Sequence, residues 1–201
     1  MKKKMSVHFF ALLLLCAVSF GQALTQADRE KAEQYLQQTR DGVVQATKGL
    51  SDAQMKFKPA PDRWSVAETL EHIVLVEDSL LQNVTDKVMK GPAGAADRDT
   101  AKIDAMVLAM IPDRSHKRQA SPQFVPTGRW TPSETLDHFQ KTRAKTVTFL
   151  DSTPDLRAHA TDSPIGQQLD GYEWLLFIGA HSQRHTKQIL EVKADANFPK
   201  S

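Results

Sequence analysis

Cysteine is almost absent from this chain of 201 residues: Cys16 is the only one, so nothing downstream of it can form a disulfide or offer a thiol. That removes thiol nucleophiles and cysteine-ligated metals from the main body of the protein. Strand patterns are nearly missing too, because few stretches alternate apolar and polar residues. No basic patch stands out either. The formal net charge of +2 rests on Lys2, Lys3 and Lys4, and residues 24–201 alone carry 23 basic against 24 acidic side chains. This near-balance gives no footing for nucleic-acid binding. Only one long apolar run exists, Phe9 to Phe20.

That run has a charged front and a small-residue exit, Gly21-Gln22-Ala23, and reads as a secretory signal peptide over residues 1–23. It is short for a membrane span. Leu15 stands before Cys16 where a lipoprotein site needs a small residue, so no lipid anchor is expected. The expected mature protein is periplasmic or secreted, without a membrane anchor. Residues 24–201 suit one domain with a real core.

Four long helical patterns fill that domain. The first starts at the Thr25 cap and runs to about Gly49, followed by a short capped turn at Ser51. The second opens with Ser65 and Glu68 as a capping box and is predicted to reach about Lys90. The third opens at Thr131 with Pro132 in its first position and lasts to about Ser152. The fourth opens at Asp170 with Glu173 three residues on and is bounded by Asn197 and Pro199. Residues 93–129 give only an apolar run at Ile103–Ile111 and scattered turn signals. Two segments echo each other, W-S-V-A-E-T-L-E-H from Trp64 and W-T-P-S-E-T-L-D-H from Trp130, as expected of related helices in an all-α four-helix bundle.

The fourth helix carries the chemistry. Leu175, Ile178, Gly179, Ser182, His185 and Ile189 form one stripe, with His181 beside it, and Gly179 and Ser182 are expected to leave room there. Histidines four apart project from one side of a helix, with Cβ atoms roughly 5–6 Å apart, close enough to share a metal ion. A third ligand must come from elsewhere. His72 lies at the edge of the apolar arc of the second helix, whereas His138 falls roughly 160° from the stripe of the third and should face water. Hydrogen-bonded core histidines are the alternative. Glu77 and Arg143 are each a lone charge on an apolar stripe, and a buried ion pair between them is the expected use.

The run from Trp64 to Glu77, with H-S-Q-R-H-T-K-Q about 100 residues later, resembles the DinB-like superfamily over residues 25–199. The resemblance implies a four-helix bundle in which His72, His181 and His185 bind a divalent transition metal, zinc or nickel. It implies metal-dependent hydrolysis or thiol-dependent transfer on a small molecule, and it says nothing of DNA damage. Three neutral imidazoles leave an ion its double charge and an open position. A non-catalytic metal- or ligand-binding bundle is the alternative from another class. Substrate, catalytic residues and a homodimer are left open.

Overall fold

A computed structural model describes residues 23–200; the signal segment, Ala23 apart, lies outside them. The long helices are α1 (Gln26–Thr47), α3 (Val66–Asn83), α5 (Pro132–Ser152) and α6 (Gly171–Lys193), with the shorter α2 (Asp52–Lys56) and α4 (Thr100–Met110) between them. All four long helices begin with a reciprocal capping box, at Thr25, Ser65, Thr131 and Asp170, so the chain itself sets where they start.

Their ends are less regular. The second helix passes into a π-helical turn at Val84–Val88 instead of staying α-helical to Lys90, and α6 stops at Lys193, short of Asn197. The apolar run near residue 103 is α4, capped by Asp99, whose carboxylate accepts from Lys102 N at 3.0 Å. A short hairpin, β1 (Ala160–Asp162) with β2 (Gln168–Asp170), fills part of the segment between α5 and α6. Three residues per strand are too few for an alternation to show in sequence.

In the bundle, α1 packs on α6 and α5, and α3 packs on α5 and α6. Tyr172 reaches Asp28 O and Lys193 reaches Ala46 O, so α1 and α6 run parallel. Leu70 and Ile73 in the first half of α3 share one apolar cluster with Phe139 in the first half of α5, while Val84 just past α3 shares the other with Leu150 at the end of α5, so α3 and α5 are parallel as well. The Trp64 and Trp130 echo is therefore structural: Trp64 packs on His72 at 4.7 Å and Trp130 on His138 at 4.8 Å, each at the start of its helix. Two parallel helices in succession need a long crossover. Residues 89–131 supply it, running back down the bundle through α4, which packs along α6, and then a strap of residues 111–131.

The core has two apolar halves. One gathers Leu36, Val84, Leu150, Tyr172 and Leu175; the other gathers Val43, Leu70, Ile73, Phe139 and Ile189. Between them lies a buried polar layer. Arg143 donates from Nε and Nη2 to Glu77 at 2.7 and 2.8 Å, from Nη1 to Leu36 O at 2.6 Å and Thr39 Oγ1 at 2.9 Å, and from Nη2 to Ser182 Oγ at 2.8 Å. One guanidinium on α5 thus bonds to all three of the other long helices. The expected Glu77–Arg143 pair exists, and it is larger than a pair.

A second buried cluster caps α6. Asp170 and Glu173, both fully buried, meet Arg98, which contacts Asp170 at 3.2 Å and makes a very short contact with Glu173. Arg157 bridges Asp170 at 3.1 Å and Asp104 at 2.7 Å while its guanidinium lies over the Tyr172 ring.

Candidate metal centre

His181 and His185 project from α6 toward α3, which presents His72. Their ring centroids are 4.4 Å apart, and each lies within 5.1 Å of the His72 ring. One ring nitrogen from each of the three lies within 4.8 Å of the others. His72 and His185 are buried, and His181 is half-buried. His138 is not in the cluster. It is half-exposed, but it does not simply face water, because its Nε2 lies 2.9 Å from Asp78 Oδ2.

Two of the rings have fixed orientations. His72 Nδ1 lies 2.8 Å from Phe124 O, and a carbonyl can only accept, so Nδ1 carries the proton and Nε2 is left with its lone pair. His185 Nδ1 lies 2.9 Å from Gln188 Oε1, and Arg114 Nη1 donates to the same oxygen at 3.2 Å, which fixes the amide's orientation. His185 Nε2 is left free by the same logic. A ring held through one nitrogen with the other exposed is the usual state of a metal-ligating histidine.

Electrostatics keep the rings neutral. Burial pushes the pKa of His72 down, against the Phe124 hydrogen bond. Burial, then the neighbouring imidazoles His185 and His72, hold His181 well below the usual range; burial and then His72 do the same for His185. Neutral imidazole is the ligating form. Donor set, spacing and protonation all fit a divalent transition metal held by His72, His181 and His185.

The space expected at Gly179 and Ser182 is taken up differently. A Cβ at Gly179 would come within 2.9 Å of the Tyr35 ring, so this glycine admits Tyr35 from α1 instead of opening the metal face. Ser182 accepts from Arg143 and so ties α6 into the polar layer.

The strap was invisible to periodicity, yet it completes the site. Its first part is held by Arg184, which donates to His116 O at 2.9 Å, very closely to Asp113 O, and to Ile111 O at 3.5 Å. Its last part is held by the buried Glu71 carboxylate, which accepts from Thr127 N at 3.0 Å and Gly128 N at 2.8 Å. Gly128 has φ +71°, a left-handed turn that suits glycine and lets two successive amides converge on one carboxylate. Each anchor is the residue directly before a candidate ligand, Glu71 before His72 and Arg184 before His185. Between the anchors the strap delivers Phe124 O to His72.

Comparisons with known proteins agree with this architecture. The DinB superfamily profile matches residues 35–189. The uncharacterized protein YuaE of Bacillus subtilis (strain 168) is 27% identical over 151 residues, covering 73% of this chain and 87% of YuaE. Among solved structures, the chain is similar to YfiT from Bacillus subtilis, described as a probable metal-dependent hydrolase with an unusual four-helix bundle topology. The TM-score is 0.56 at 15% identity, over 89% of this chain and 93% of YfiT, a likeness that speaks for the fold. With the profile spanning most of the domain, from α1 through the two histidines of α6, the chain belongs to the DinB superfamily.

Proposed function

We propose that this protein is an exported metal-dependent hydrolase or transferase of a small molecule, with one divalent transition metal, zinc or nickel, held by His72, His181 and His185. The observation that carries the reading is the convergence of three neutral imidazoles within 4.8 Å, two of them oriented through their second nitrogen. A divalent ion held by three neutral ligands supplies Lewis acidity toward a carbonyl, a water or a thiol. The chain's own residues hold and orient the ligands: Phe124 O and Gln188 set the rings, and Trp64 packs on one face of His72.

Export favours hydrolysis over thiol-dependent transfer, since small thiol cofactors are mainly cytoplasmic. The lysine-led apolar segment supports export, and so does Leu24, which packs against the core just after the expected cleavage point. Among the described residues no helix is long and apolar enough to cross a membrane.

One observation favours the second reading, a non-catalytic metal- or ligand-binding bundle. The buried carboxylates nearest the cluster are already engaged, Glu77 by Arg143 and Glu71 by the strap amides. Among the described residues, neither of these buried carboxylates is free to act as a base. A panel of ester, amide and thiol-transfer substrates, run with the metal-loaded protein, separates the two. Turnover lost on chelation and restored by metal supports the enzyme. Stoichiometric metal with no turnover on the panel supports the binding protein.

A further inference from the structure

The charges around the cluster suggest what the metal site takes, an inference that rests on the metal reading above. The three imidazoles are neutral, and so are the groups that orient two of them, the Phe124 carbonyl and the Gln188 amide. The buried carboxylates nearest the cluster are spent elsewhere, Glu77 on Arg143 and Glu71 on the strap amides and Arg129, so none is left over to offset an ion held there.

Cations crowd the same side. Arg184 precedes His185, is 6% exposed, and spends its donors on three strap carbonyls; among the described residues it has no carboxylate within ion-pair distance. Arg114 and Arg63 share a single carboxylate, Glu191, at 2.6 and 3.7 Å. The strap that Arg184 holds carries Lys117 and Arg118, both exposed, with no hydrogen bond or ion pair among the described residues. Lys117 and Arg118 directly follow His116, whose carbonyl Arg184 holds at 2.9 Å, and six residues further on the strap reaches His72 through Phe124 O, so both cations lie on the stretch between these two contacts. Among the described residues, Glu191 is thus the one carboxylate paired with any of Arg63, Arg114, Lys117, Arg118 and Arg184, before any metal is counted.

Holding the strap would be reason enough for Arg184. It is no reason for Lys117 and Arg118, which hold none of the described residues. Placing further positive charge beside a divalent cation is unfavourable unless an anion joins them, and a cleft of one sign concentrates ligands of the other.

We propose that the substrate bound at this metal site carries an oxyanion group, a carboxylate or a phosphate, and that Lys117 and Arg118 on the strap draw it in and help hold it. Both side chains are exposed and make no hydrogen bond or ion pair among the described residues, so neutralising them should leave the fold alone.

The test uses the mature protein loaded with one equivalent of nickel, with metal content measured on each sample. Inorganic phosphate, acetate and neutral acetamide are titrated by calorimetry at low salt. Phosphate or acetate should bind and acetamide should not, and whichever anion binds more tightly names the oxyanion class. The Lys117→Gln/Arg118→Gln variant should keep its metal and lose about tenfold in anion affinity, the combined weight of two partly screened charge contacts. Lys90→Gln, an exposed lysine paired with Asp86, should change nothing. Metal-loaded protein that treats acetamide like the anions, or a double variant that binds them as tightly as wild type, overturns this proposal and leaves the metal reading standing. Protein that takes up neither nickel nor zinc overturns both.

Discussion

Removing Arg143 should be among the most damaging single changes in the bundle. Its side chain is 1% exposed and that of Glu77 is 2% exposed, and the two share a bidentate contact at 2.7 and 2.8 Å. In Arg143→Ala the Glu77 carboxylate stays buried with only Thr146 Oγ1, at 3.3 Å, still donating to it. Breaking a buried pair in this way costs about 3–5 kcal/mol. Glu77→Ala should cost about 3 kcal/mol, the lower end of that range, since Arg143 keeps Leu36 O, Thr39 and Ser182 as acceptors. At roughly 2–4 °C per kcal/mol for a domain of this size, the Arg143→Ala melting temperature should fall by about 6–20 °C. Replacing both charges, as Glu77→Leu with Arg143→Met, should cost well under the sum of the single losses, with a coupling of about 2–3 kcal/mol. Urea unfolding of metal-free protein is the assay, because bound metal would add its own linkage. Small, additive losses would refute a buried pair. Loss of metal binding with stability unchanged would place these residues in the site instead of beneath it.

Other perturbations follow from the same contacts. Glu71→Gln sets an amide donor against the Thr127 and Gly128 amides, frees the strap, and should weaken metal affinity by about 10–100-fold, as loss of a ligand-orienting contact does; competition with a chromophoric chelator measures it, and unchanged affinity would mean the strap is only a cover. Burial, followed by Asp170, raises the Glu173 pKa to about 7, so the folded state holds this proton more tightly than the unfolded chain. Stability from this group is complete below the ordinary carboxylate range and is lost as pH rises through about 7, a swing of up to about 3 kcal/mol. Glu173→Gln keeps a capping acceptor and should flatten that slope in urea midpoints measured at pH 5 and pH 8; a variant with the wild-type slope would assign the effect elsewhere. The precursor should be shortened at or near Ala23 and recovered outside the cytoplasm, and an intact Met1 by mass spectrometry in the accumulated protein would contradict export.

What could be read in the sequence was whatever a local pattern encodes. Reciprocal caps at Thr25, Ser65, Thr131 and Asp170 mark four helix starts, because the cap and its partner lie three residues apart. Helix phase placed His72 with the α6 pair and paired Glu77 with Arg143. The helix ends were less legible, since no comparable signal marks the π-turn after Asn83 or the stop at Lys193. The strap was not legible at all. Its contacts to Glu71, Arg184 and His72 use backbone amides and carbonyls, which every residue type provides, and they join positions 52 to 73 residues apart. One hint was available: Gln188 stands three residues after His185, a spacing from which a helical side chain can reach the ring. Gly179 was misread because space on a helix face says nothing about which neighbour fills it, here Tyr35.

The most direct test is metal content per chain by mass spectrometry of the purified mature protein and its histidine variants. About one divalent transition metal per chain is predicted for the wild type and for His138→Ala, whose ring bonds to Asp78 outside the cluster. Loss of the metal is predicted for His72→Ala and for the His181→Ala/His185→Ala double variant, with each still folded by circular dichroism. Tight metal retained in that double variant, or lost in His138→Ala, would contradict a centre built from His72, His181 and His185.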